Sequence, residues 1–310
     1  MPRISPRLIL EAYKIHPYLP YLLPACKTIF QAKLELGWII NELPVSKHKS
    51  AIKKRFRLYP LQYILGNQPF GSNLKIECKK GVLIPRLDTE EWCMELCKKL
   101  RKIKNPNDSL KVLEICSGSG CISLLIGEQL KDYLLELDIL GVDVSQICVD
   151  LSQKNLELNH KYINSNKTLI NFIKGDLFNK DLLSSLPIQN HELVISNPPY
   201  IPLEEYNVYH GGLEKSVIKY EPRLALVGNL EVYKSLLDNF VFNNKSCKSF
   251  IFEVGNKKQI EFVRDYILFK KFSWNVGYRI DSNGQYRNVV GWQRDCNYDL
   301  LQKMCTSIYN

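Results

Sequence analysis

The apolar run "ELVIS" ends in Asn197, Pro198, Pro199 and Tyr200, four residues whose types suit holding a planar nitrogen. Asn197 can present an amide oxygen as acceptor, and the two prolines remove two backbone N–H donors while fixing the turn. The corner is therefore rich in acceptors. Its pair, the Asn197 side-chain oxygen and the Pro198 carbonyl, suits an –NH2 group whose two hydrogens must be held, and Tyr200 can pack on the planar group that carries it. A nitrogen of this kind is a poor nucleophile because its lone pair is delocalised, as in a peptide amide. Transferring a methyl group to it depends largely on proximity and orientation. A side-chain amide and an adenine both carry such an –NH2, so the corner alone does not choose between them.

A second constellation stands earlier in the chain. "EICSGSGCISLLIG" places Glu114, Ser117, Gly118, Ser119 and Gly120 in a turn between an apolar run and a helical stretch. Glycines let a backbone approach a ligand closely, but Ser123 stands where the third glycine of a dinucleotide fingerprint belongs. "GVDVS" then ends a second apolar run on Asp143, where a carboxylate can accept hydrogen bonds from both ribose hydroxyls of an adenosine. That suits S-adenosylmethionine as well as NAD, and an ordinary strand-to-helix bend with a capping Asp is the bland alternative.

These residues need a scaffold that brings them to one edge. Beyond Lys104, the runs "LKVLEI", "LELDILGVDV", "TLINFIKGD", "ELVIS" and "KSFIFEV" alternate with turns and helical stretches, the signature of a mainly parallel sheet covered on both faces. Ligands of such sheets bind beyond the carboxyl ends of the strands. "SWNVGYRIDSNGQYRNVVGW" reads as two antiparallel strands joined around Asn283 and Gly284. From Leu8 to Tyr63 the apolar residues recur at three and four positions, and prolines at 17, 20, 24, 44 and 60 cut the segment into short helices. A hairpin is expected around Lys79 to Gly81, followed by a helix over "TEEWCMELCKKLRKI" with Thr89 as its cap.

Composition narrows the function. The chain has 310 residues, and 42 Lys+Arg against 32 Asp+Glu give a net charge of +10, which favours acidic partners. The basic run Lys47 to Pro60 is more commonly a solvated helix face than a nucleic-acid patch. No apolar run reaches the ~20 residues of a membrane span. Ten cysteines at irregular spacing, with histidines scattered at 16, 48, 160, 191 and 210, give no zinc pattern. Cys93 and Cys97 share a helix face and read as small apolar core residues, reduced as in an intracellular protein.

Taken with "PLQYILG", "LIPRLDTE", "GDLF", "YEPRLALVG", "IFEVG" and "DSNGQYRNVVGW", the sequence resembles the HemK family, the class 1 release factor glutamine methyltransferases, over nearly its whole length. The resemblance implies a seven-stranded, mainly parallel Rossmann-like methyltransferase sheet with a small N-terminal helical domain. Its parts would be a substrate-docking domain over residues 1–75, a hairpin connector over 76–89 and a methyltransferase domain over 90–310. It further implies that Glu114, Cys116, Ser117, Gly118, Ser119, Gly120, Asp143, Asp176, Leu177, Phe178 and Asn197 contact S-adenosylmethionine. Asn197, Pro198, Pro199 and Tyr200 would hold the glutamine of a Gly-Gly-Gln loop, with Arg86 and Glu90 near the cleft. The implied partner is a class 1 release factor, with no metal, no membrane and no nucleic-acid substrate. Departures from the family's usual pattern are Cys116 for Gly, Leu87 for Pro, Asp88 for Glu, and a shortened insert "GNLEVY".

NPPY alone is shared with adenine-N6 methyltransferases, but a nucleic-acid enzyme needs a region that reads base edges or holds a flipped base, and no segment of that size lies outside the assigned domains. A non-catalytic nucleic-acid-binding module would not need the intact corner. The divergence, the basic charge and the residues Arg3, Arg7 and Lys14 favour a mitochondrial enzyme over a bacterial cytoplasmic one.

Overall fold

The computed structural model describes residues 4–179, 190–207, 213–270, 273–294 and 296–309, so that Arg3 and His210 lie outside the described residues. Five helices come first: α1 (Pro6–Ile15), α2 (Leu19–Cys26), α3 (Ile29–Glu42), α4 (Val45–Phe56) and α5 (Leu61–Leu65). Ser5 and Thr28 cap α1 and α3 through their side-chain oxygens. Pro44 and Pro60 precede α4 and α5, as a residue without an N–H should. Pro24 lies inside α2, which continues past it to Cys26 although the proline has no N–H to bond the carbonyl four residues earlier. Leu19, Leu22, Leu23, Ala32, Leu36, Ile39 and Ile52 form a core of their own. On α4 the lysines 47, 49, 53 and 54 face solvent while Ala51 and Ile52 point inward. Arg55 is drawn off that face by a two-pronged bond to the buried Glu35, at 2.6 and 2.8 Å.

The hairpin lies earlier than expected. Its strands are β1 (Asn67–Phe70) and β2 (Leu74–Glu77), and its turn contains Gly71 at φ +65°. The Lys79–Gly81 segment forms a separate turn closed by Val82 N–H on the Lys79 carbonyl at 3.1 Å, with no paired strands beside it. The hairpin belongs to the larger core, since Phe70, Leu74 and Ile76 pack there.

Helix α6 (Leu87–Ile103) leads into strand β3 (Ser109–Ile115), helix α7 (Cys121–Leu130), strand β4 (Glu136–Asp143), helix α8 (Gln146–Leu158), and strands β5 (Thr168–Lys174), β6 (Leu193–Ser196) and β7 (Ser249–Glu253). After helix Lys257–Phe269 the chain adds β8 (Trp274–Ile280), β9 (Tyr286–Gln293) and β10 (Ser307–Tyr309). Arg86, rather than Thr89, occupies the cap position of α6; Thr89 lies inside the first turn and turns toward the core.

The sheet has eight strands in the order β10-β8-β9-β7-β6-β3-β4-β5, one more than the seven expected. Strands β7, β6, β3, β4 and β5 run parallel, and β9, β8 and β10 continue the sheet antiparallel. The extra strand is β10, three residues paired with Val276–Tyr278. The central parallel strands are mostly apolar, β6 and β7 being buried at every position, because helices cover both faces, whereas the outer strand β5 alternates buried and exposed residues. The ten cysteines are free thiols, Cys93 and Cys97 among those buried. Among the described residues no helix is long and apolar enough to cross a membrane, and no cluster of His, Cys, Asp or Glu could hold a metal ion.

Candidate active site

From β3 the chain winds outward through β4 and β5, then returns to the other side of β3 to place β6 and β7. The carboxyl ends of β3 and β6 therefore diverge at a topological switch point, where an open sheet leaves a crevice. The β3 end opens into a cavity of about 230 Å³ lined by Glu114, Cys116, Ser117, Gly118, Ser119, Asp143, Asp176, Leu177, Phe178, Asn197 and Pro199.

Backbone conformation shapes this cavity. Cys116 is held at φ +62°, a left-handed conformation that costs a side chain roughly 1–2 kcal/mol and that glycine adopts freely, which accounts for glycine being the family's usual choice there. Gly118 is at φ +56°, and a Cβ on it would meet only open space. Its N–H donates to Asp143 Oδ2 at 2.8 Å, and the Ser145 N–H donates to Oδ1 at 2.9 Å. Burial raises the Asp143 pKa, and these two backbone bonds oppose the rise. Burial likewise pushes Glu114 up to about 8, against the two bonds it accepts from Ser123. The Ser117 hydroxyl, on the cavity lining, is buried with no hydrogen-bond partner among the described residues.

This donor and acceptor set fits S-adenosylmethionine. Asp143 retains lone pairs for ribose hydroxyls, Ser117 has an unused hydroxyl, and Glu114 offers a carboxyl to a cationic ligand. Asp143→Ala is expected to remove bonds of roughly 1–3 kcal/mol in total and weaken cofactor binding ~5- to 150-fold, read by calorimetry. Unchanged affinity would remove Asp143 from the site.

A second cavity, of about 380 Å³, opens on the other side of Asn197 and is lined by Tyr200, Ile201, Pro202, Glu205, Glu214, Val217 and Asn256. Leu83, Arg86, Asn197 and Ala225 line both cavities, so Asn197 stands in the wall between them.

Three chain segments lock this wall. Arg86 pairs with the buried Glu221 at 2.6 Å, and the other Glu221 oxygen accepts the Ile84 N–H at 3.2 Å. The NPPY segment is pinned to Leu226–Gly228 by Ile201 N–H on the Leu226 carbonyl at 2.9 Å and Gly228 N–H on the Ile201 carbonyl at 3.1 Å. The Tyr200 ring packs so closely on Gly255 that a Cβ there would come within 2.8 Å of it. Burial, reinforced by the nearby Glu253 carboxylate, pushes the Tyr200 phenol up to about 12 and keeps it neutral.

No protein-family model matches the chain. Over 318 residues, spanning 99% of this chain and 94% of the relative, it is 36% identical to the mitochondrial MRF1 N(5)-glutamine methyltransferase MTQ1 of Saccharomyces cerevisiae. The chain belongs to the release factor glutamine methyltransferase family. It is also 34% identical, over 95% of its length and 97% of the relative's, to the probable mitochondrial counterpart of Schizosaccharomyces pombe. A release factor glutamine methyltransferase of Thermodesulfovibrio yellowstonii matches 62% of the chain and 62% of its own length at 33% identity. Among solved structures, the human METTL16 catalytic domain with an RNA hairpin superposes with a TM-score of 0.54 at 16% identity, over 72% of this chain and 77% of that one. That likeness shows a shared methyltransferase fold. The resemblance read from the motifs is thus the family shown by whole-chain similarity.

Within this glutamine methyltransferase, most residues expected to contact the cofactor line the first cavity, with Phe178 half exposed at its mouth. Gly120 does not. It is at φ +77° ahead of α7, and a Cβ on it would run into Phe172 and Ser152 at 2.8 and 2.9 Å, so its role is packing. Of the substrate corner, Asn197 and Tyr200 line the second cavity and Pro199 the first, whereas Pro198 lines neither. Arg86 lies at the cleft but is committed to Glu221. Glu90 points away from the cleft, toward the hairpin turn, where the Gly71 backbone bonds to it and Glu128 stands near. Sequence reading gave no role to Glu221, Gly228, Gly255 and Glu253, and took Thr89 only as a helix cap. All five stand in the quoted family motifs, which was the available signal.

Proposed function

We propose that this enzyme transfers a methyl group from S-adenosylmethionine to the side-chain amide nitrogen, N5, of the glutamine in the Gly-Gly-Gln loop of a mitochondrial class 1 release factor. The observation that carries the reading is the position of Asn197, which lines both a cavity fitted to an adenosine ligand and a second cavity beyond it. The cofactor supplies an electrophilic methyl group on a sulfonium. The chain's part is to bind, hold and orient. Asn197 offers its amide oxygen as acceptor to the substrate amide, directing the nitrogen toward the first cavity, and Tyr200 packs on the amide plane. Two glycines before the glutamine give a backbone narrow enough to thread into the cleft. The five-helix segment Pro6–Leu65 supplies a surface able to grip a folded protein while its loop enters the site. The mitochondrial relatives and the basic charge support assignment to that compartment.

Incubation with labelled S-adenosylmethionine and release factor, followed by mass spectrometry, is expected to place one methyl on that glutamine and none on a Gln→Ala release factor. Label in DNA or RNA with none in the protein would overturn the reading.

A further inference from the structure

Asn197 can act as proposed only if its amide is turned the right way round. The oxygen and nitrogen ends of an Asn side chain have nearly the same size, so shape does not distinguish them; hydrogen bonding must. The oxygen is the useful end, since an –NH2 substrate needs an acceptor.

The structure supplies the missing instruction. The Asn197 amide nitrogen lies 3.3 Å from Thr89 Oγ1. That hydroxyl also bonds Oε1 of Glu253, at the end of β7. The same Oε1 receives the Trp92 indole N–H at 2.7 Å. An indole N–H can only donate, which marks Oε1 as an acceptor. The single hydrogen of Thr89 therefore goes to Glu253, and Thr89 has only lone pairs to show Asn197. Asn197 answers with its –NH2, and its oxygen is turned away from Thr89. Thr89, Trp92 and Glu253 are exposed by 2%, 0% and 1%, so bulk water does not compete for these bonds. Although burial raises the Glu253 pKa, the bonds from Thr89 and Trp92 and the charge of Arg287 all favour the ionised carboxylate.

We infer that Thr89, polarised by Glu253 and Trp92, is a positioning residue that fixes which end of the Asn197 amide faces the substrate. The inference rests on the reading of Asn197 as the acceptor, and it assigns a task to two residues outside the NPPY corner: Thr89 in the first turn of α6 and Glu253 at the end of β7.

The test compares Thr89→Val, which keeps the shape but has neither hydrogen nor lone pair, with Thr89→Ser, which keeps the hydroxyl, and with Asn197→Ala. Single-turnover transfer to release factor is measured at saturating S-adenosylmethionine. Rates are expressed per cofactor-binding molecule, counted by calorimetry, so that any misfolded fraction drops out. Thr89→Val is expected to slow transfer ~10-fold or more with cofactor affinity within about twofold, while Thr89→Ser stays within roughly threefold of wild type. A wild-type rate for Thr89→Val, with Asn197→Ala slow, overturns the positioning role and spares Asn197. Equal losses in Thr89→Val and Thr89→Ser overturn it too, because packing of the lost methyl would then be the cause. Wild-type rates in Asn197→Ala itself overturn the reading beneath it.

Discussion

Asn197→Ala is expected to slow the methyl-transfer step by ~100-fold or more while leaving S-adenosylmethionine affinity within a few-fold. The two quantities separate because of where the residue stands. The lining of the first cavity is spread over the Cys116–Ser119 turn, Asp143 and the Asp176–Phe178 segment, and Asn197 adds one residue to it. An amide nitrogen becomes nucleophilic only as its conjugation weakens, and an acceptor that gains strength as the hydrogens become acidic acts in the transition state more than in the ground state. Single-turnover rates close to wild type would exclude the role. If Asn197 merely braced the turn, the variant would instead lose thermal stability and cofactor affinity together.

Gly228→Ala is expected to be nearly as damaging, although Gly228 lines neither cavity. A Cβ built there lies 2.1 Å from the Pro199 carbonyl oxygen and 2.8 Å from its carbon. Those are backbone atoms of the substrate corner, with no flexible side chain to swing aside, so the two segments must part. Overpacking of this kind costs roughly 1–3 kcal/mol of stability. The functional cost is larger, because a displacement near 1 Å at a reacting group can cost ~100-fold in rate. Transfer is therefore expected to fall by about that factor at temperatures where the variant is fully folded by circular dichroism, with S-adenosylmethionine still bound. A variant with wild-type turnover would show that Leu226–Gly228 does not hold the corner.

Much of this architecture is written locally. The parallel strands announce themselves because burial on both faces demands mostly apolar runs such as "VLEI" and "LVIS". The two ligand segments announce themselves because each follows such a run directly. What stayed hidden depends on partners far away in the chain. Thr89 sits at the head of "TEEW", a pattern that locally signals a helix cap, yet its hydroxyl is taken by Glu253, 164 residues on. Gly81 suggested a hairpin turn, but a hairpin also needs two flanking runs that can pair, and these surround Gly71. Strand β10 is three residues long, "SIY", too short for any alternation to register. Gly228 carries no unusual dihedral, and only the approach of Pro199 shows why it must be glycine.

The buried Glu221 has a consequence for how the enzyme comes into being. Its carboxylate joins residues 135 and 137 positions earlier in the chain, Arg86 and Ile84, and Glu253 is reached later still during synthesis. A nascent chain that has emerged only as far as Asn197 already contains the residues that line the cofactor cavity from β3 to β6, but neither the clasp on the connector nor the carboxylate behind Thr89. Loops of that length close only when the whole sheet has assembled around them. The methylating corner therefore acquires its shape only once the chain has passed Glu253, and the cofactor cavity, which Leu224 and Ala225 also line, is itself incomplete until those residues have been made.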